Sequence, residues 1–168
     1  MAVHVSNPDP TDTAWKIHSA LVDWTGKVDT KASFALTIES AVLVGVVTLS
    51  GKERALAGLH GWGVFWYTLG VVTLIAGLLC AVWVVRPRLR SQQVTSEVPT
   101  NFVYFGHLRQ LTPGEVEINL RSDDILPVLS KQLVEMSKIS WTKHRLVQVS
   151  LTLAPIGVAL LGLSATYS

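Results

Sequence analysis

Cysteine is almost missing from this 168-residue chain, and charge is scarce. The single Cys80 excludes an internal disulfide framework and any cysteine-rich zinc site. Only 15% of the residues are charged, against roughly 25% in an average soluble domain. No phosphate-binding loop, HExxH or G-x-S-x-G motif occurs, so no catalytic constellation is in place and an enzyme is not expected. The five histidines stand at 4, 18, 60, 107 and 144, without a pair at helical ligand spacing, which argues against a metal site. A net charge of +2 is too small to point to nucleic acid. What is present is apolar: 49% of the chain is hydrophobic, which excludes a disordered protein.

The apolar residues come in long blocks. Gly63–Val85 holds no Asp, Glu, Lys, Arg or His, and Leu146–Tyr167 is uncharged. Ala32–Ser50 holds one acid, Glu39. About 20 apolar residues suffice for a helix to cross the hydrocarbon core. The expected fold is therefore an all-α membrane protein with three transmembrane helices at 32–50, 63–85 and 146–167. A polar segment 1–31, a short loop 51–62 and a long segment 86–145 separate and precede them. The first apolar block begins behind a polar stretch and no A-x-A-like site follows, so none of the three reads as a cleaved signal peptide.

Charge orients the spans. Of the 14 lysines and arginines, only Lys52 and Arg54 lie in the loop 51–62; the other twelve lie in 1–31 and 86–145. The positive-inside rule puts both long segments in the cytoplasm, and the short loop and the C-terminus outside. Trp62, Trp66 and Tyr67 at the outer end of the second span, Trp83 at its inner end, and Trp141 and Tyr167 around the third fit the aromatic belts of the headgroup layers.

Helices are expected in the cytoplasmic parts too. Asp9-Pro10 is a helix start, and Ile17, Leu21, Trp24, Val28, Lys31 and Ala35 recur as one helical face running on into the first span. A lysine on that stripe must snorkel to the headgroups, pair with an acid or hold a ligand. Arg86-Pro87-Arg88-Leu89-Arg90 reads as a basic anchor facing anionic lipid, 91–100 as a polar linker, and 101–108 (NFVYFGHL) as an aromatic knot in a loop or short strand. Thr112-Pro113-Gly114-Glu115 is a capping box for a helix ending near Leu120. Ser122, Asp123 and Asp124 start a further helix whose face is Ile125, Leu129, Leu133, Met136 and Ser140. No breaker separates it from the third span, so one helix of about 60 Å should run from Asp124 to Ser164. The first and third helices would thus extend into a cytoplasmic helical region and pack there as a stalk.

Two intramembrane features stand out. Gly63, Gly70, Gly77 and Ala81 make a smooth face on the second span, and Ser150, Ala154 and Gly157 one on the third, suited to close packing within or between subunits. Glu39 is the one acid inside a span and lies about 10 Å deep if the span begins at Ala32. Gln148 or pore water are the expected partners, and a gating role is the functional expectation.

Asp29-Thr30-Lys31-Ala32-Ser33 before the first span, Tyr104-Phe105-Gly106-His107 after the second, and the long helix running into a C-terminal span together resemble the Pycsar membrane effectors of the pyrimidine cyclase system for antiphage resistance. The resemblance covers about Trp15 to Leu163. It implies that a companion cyclase makes cyclic UMP or cyclic CMP on infection, that the effector senses it, and that disruption of the bacterial inner membrane arrests growth or aborts the infection. No other cofactor is implied, and a homo-oligomer is expected, since three spans are few for a self-contained transporter and association of copies would compensate. A cyclic pyrimidine nucleotide needs a cation or helix N-terminus for its phosphate, an aromatic or arginine face for its base, and an acceptor for its sugar. Lys31, Arg109 and the helix start at Thr112 are candidates for the first, Tyr104, Phe105 and His107 for the second, and Asp29 for the third. The competing readings are a ligand-independent, holin-like pore and a membrane scaffold subunit.

Overall fold

A computed structural model describes residues 9–51, 59–87, 102–121 and 125–167. The described residues form five helices: α1 (Pro10–Leu49), α2 (Trp62–Val85), α3 (Phe105–Leu108), α4 (Pro113–Arg121) and α5 (Leu126–Ala165). Three of them, α1, α2 and α5, are long and apolar enough to cross a membrane. The all-helical, three-span expectation holds. Lys52, Arg54, Arg88, Arg90, the linker 91–100, and the helix-starting Ser122, Asp123 and Asp124 lie outside the described residues.

Local chemistry sets the helix starts. The Asp9 carboxylate accepts the Thr11 N–H at 2.9 Å, one of the donors a first turn leaves open. At α4 the capping box closes in both directions. Thr112 N–H donates to Glu115 Oε2 at 2.7 Å, and Glu115 N–H donates to Thr112 Oγ1 at 3.4 Å. Helix α5 carries Pro127 in its first turn, where no N–H is needed, and continues through Pro155 to Ala165 without a break. Its 40 residues span about 60 Å.

The chain divides into two compact units. The first comprises residues 1–25 and 88–141, and the second 26–87 and 142–168. In the first unit Ala14, Leu21, Phe102, His107 and Leu129 are buried. The described stretch 102–108 does not form a strand. His107 and Leu108 N–H both donate to the Tyr104 carbonyl, and the turn so made is α3. Gly106 sits against the Tyr104 ring so closely that any side chain there would strike it.

The second unit is a bundle in which α1 and α5 run in the same direction and α2 runs opposite. Val28 and Ala32 meet Val84 and Val147 at one end, and Val46 meets Leu74 and Leu161 toward the other. Large apolar side chains such as Phe34, Ile38, Phe65, Val72, Leu79 and Ile156 face outward. Small and polar residues face inward, the pattern expected when the surroundings are lipid tails rather than water.

The buried lines follow a seven-residue repeat. On α1 they are Ala14, Leu21, Val28 and Ala35, with Ala32, Glu39 and Val46 beside them. On α2 they are Gly63, Gly70, Gly77 and Val84, with Leu74 and Ala81. Such a repeat keeps one seam inward along a helix that is slightly supercoiled to the left. The stripe expected on α1 is therefore corrected: Leu21, Val28 and Ala35 are buried, but Ile17, Trp24 (53% exposed) and Lys31 face out. Trp24 is too bulky for a seam lined by alanine and valine.

Candidate functional site

The middle of the second unit encloses a carboxylate. Glu39 is 1% exposed, and its Oε1 accepts the hydroxyl of the fully buried Ser150 at 2.7 Å. Its Oε2 is buried and has no hydrogen-bond partner among the described residues. Gly77 of α2 stands opposite: a Cβ there would lie 3.3 Å from Glu39 Oε1 and 3.4 Å from the Ser150 carbonyl. An acid of α1 therefore sits against both α2 and α5, with one of its two oxygens unpartnered among the described residues. Gln148, the partner expected from the sequence, is exposed and lines a groove on the outside. Ser150 takes that role because the seam on α5 passes through Lys143, Ser150 and Gly157 at seven-residue steps, and Gln148 lies off it.

Toward the Val28–Val84–Val147 end, the same seam carries an ion pair. Lys143 Nζ donates to both Asp29 oxygens, at 2.6 and 2.8 Å. The lysine side chain is 11% exposed and the aspartate 39%. The pair ties α1 to α5 at the end where Lys27, Lys31, Arg86 and Arg145 also cluster. Arg86 lies over the Trp83 ring, 5.8 Å from its centroid. Both Asp29 carboxylate oxygens are thus engaged by Lys143. Lys31, two residues further, points elsewhere and lines a groove with Val28, His144, Val147, Gln148, Leu151 and Thr152. Within D-x-K-A-S, the acid faces the bundle and the lysine does not.

The remaining expected residues belong to the first unit. Tyr104 packs against Phe105 with ring centroids 4.5 Å apart and edge-on against His107 at 5.3 Å. His107 is buried, while Phe105 and Arg109 are exposed. The start of α4 is not an open anion site. The Glu115 carboxylate already occupies it, and the Thr112 N–H and hydroxyl that donate to that carboxylate hold it below the usual carboxylate range. The Thr112 N–H and hydroxyl are thus already engaged and are not free for a nucleotide phosphate.

Sequence reasoning missed Lys143 as the partner of Asp29 and, although it placed Ser150 on the packing face of the third span, missed its bond to Glu39. The signal that finds them is the spacing 129, 136, 143, 150, 157, 164 along α5, every residue of which is buried or half-buried. A family model described as the Pycsar effector protein domain, PycTM, matches residues 13–168. No curated protein and no solved structure matches the chain.

Proposed function

Because the chain belongs to the Pycsar effector family, we propose that it is an antiphage effector of the bacterial inner membrane, switched by cyclic UMP or cyclic CMP from a partner cyclase. The family match over 13–168 carries the role. The buried Glu39 carries the mechanism, since an intramembrane acid is costly unless it serves one. In the resting state the Glu39–Ser150 bond and the glycine seam of α2 keep the bundle shut. On activation the seam opens, several copies assemble, and Glu39 lines a path that depolarises the membrane. The N-terminus lies in the cytoplasm and the C-terminus outside, in keeping with the basic residues at the Val28–Val84–Val147 end.

Tyr104, Phe105 and His107 of the first unit are the candidates for the nucleotide's base and Arg109 for its phosphate. In the second unit, release of the Asp29–Lys143 pair loosens α1 from α5. The two states then differ in nucleotide affinity, as any ligand-driven shift requires.

The test is ion leakage from liposomes carrying the purified full-length protein, with cyclic UMP, cyclic CMP, cyclic AMP or buffer added in parallel. Leakage with one pyrimidine nucleotide alone is expected. Glu39→Gln and Ser150→Ala should each change the induced leakage at least tenfold while leaving nucleotide binding intact. Leakage in every sample would establish a holin-like pore instead, and leakage in none a scaffold. Full inducibility of Glu39→Gln would remove the gate from the mechanism.

A further inference from the structure

We propose that the basic end of the second unit holds a site for the phosphodiester of an anionic phospholipid, in the groove where Lys31 of α1 faces Gln148 and Thr152 of α5. The groove measures about 290 Å³. Its cation is uncompensated. Lys31 is exposed and, among the described residues, has neither a hydrogen bond nor an ion pair, and the nearby acid Asp29 is neutralised by Lys143. The exposed side-chain amide of Gln148 supplies a neutral donor. The Thr152 hydroxyl donates to the Gln148 carbonyl at 2.7 Å, so it is satisfied at that depth and does not demand water.

The floor of the groove is apolar. Val28 and Val147 are buried beneath it, and Leu151 is exposed along it in the direction of the span. The arrangement is graded: charge at the surface, hydrocarbon one to two turns deeper. That order matches a lipid, whose phosphodiester leads into acyl chains, and not a soluble nucleotide, which is polar at both ends. Gln148 and Thr152 also border a second groove, of about 410 Å³, which contains Arg145. A second cation thus flanks the first. Basic pockets between helices on the cytoplasmic side are the usual places for anionic headgroups, at about 1 kcal/mol of attraction per basic residue near the surface. A long lysine stem over apolar floor residues, with its ammonium in the headgroup layer, fits that placement.

The experiment titrates delipidated full-length protein in neutral detergent with phosphatidylglycerol, phosphatidylcholine or cyclic UMP and counts bound molecules by native mass spectrometry. Phosphatidylglycerol should bind at least tenfold more tightly than phosphatidylcholine. Lys31→Ala should bring the two lipids to within about twofold of each other. Lys31→Arg should keep the preference, which also guards against misfolding of the alanine variant. Lys138→Ala, at a lysine paired with Glu135 in the first unit, should leave it unchanged. Equal binding of the two lipids by the parent protein, or an undiminished preference in Lys31→Ala, would overturn the proposal. So would binding of cyclic UMP in place of the lipid that is lost in Lys31→Ala, which would hand the groove to the nucleotide. No leakage is read, so this outcome and that of the gating test are independent.

Discussion

At the scale of single residues, the Asp29–Lys143 pair is the most exposed to experiment. Its lysine is nearly buried, so removing the aspartate leaves a cation with little water to replace its partner. The aspartate is more than a third exposed, so solvent screens part of the attraction. Asp29→Asn and Lys143→Ala should each destabilise the protein in detergent by about 1–2 kcal/mol. The double variant should lose less than the sum, as expected of partners in direct contact. Chemical unfolding of all four proteins measures this. Additive losses would mean that the two residues act separately. Glu39 follows a different logic, since its carboxylate is enclosed and one oxygen is unpartnered. Its importance is legible from the sequence because acids in apolar runs are rare. Its partner is not, because a partner more than a hundred residues away depends on how two helices are turned about their axes.

At the scale of helices, glycine decides where α2 and α5 touch. A Cβ on Gly70 would lie 2.9 Å from Leu161 Cγ and 3.0 Å from the Gly157 carbonyl. One on Gly157 would lie 2.7 Å from Leu74 Cγ and 3.1 Å from the Gly70 carbonyl. A backbone carbonyl cannot move aside as a side chain does, so Gly70→Ala and Gly157→Ala should each cost about 1–3 kcal/mol through overpacking. Gly45→Ala and Gly162→Ala meet nothing within 4 Å and should be neutral or gain up to about 1 kcal/mol of helix propensity. Thermal unfolding in detergent separates the two pairs. The seven-residue glycine spacing on α2 was readable in advance. The buried face of α1 was legible only in part: Leu21, Val28 and Ala35 lie on it, while Ile17, Trp24 and Lys31 lie beside it, because which line flanking that row turns inward depends on what the helix packs against.

At the scale of the whole molecule, the sidedness of the charges makes a topological prediction. In a Cys80→Ser background, a cysteine at position 60 should react with a membrane-impermeant maleimide in intact cells. Cysteines replacing Asp12 or Ile118, both exposed, should react only after permeabilisation. The opposite labelling pattern would reverse the orientation. Membership of the Pycsar effector family joins this membrane architecture to a defence role, and the liposome experiment tests that link.

Hydropathy, caps and breakers by themselves determined that the chain is helical, that three helices are long enough to span a bilayer, and that α4 begins at Thr112-Pro113. Those properties depend on residues within a turn or two of each other. Only the tertiary structure decided that Ser150 rather than Gln148 meets Glu39, that Asp29 is held by Lys143, and that Lys31 faces a groove rather than the seam. Each depends on the rotation of one helix against another. In lipid that rotation is set by close packing of small residues and a few polar contacts, because an apolar side chain is as well placed facing the tails as facing the bundle.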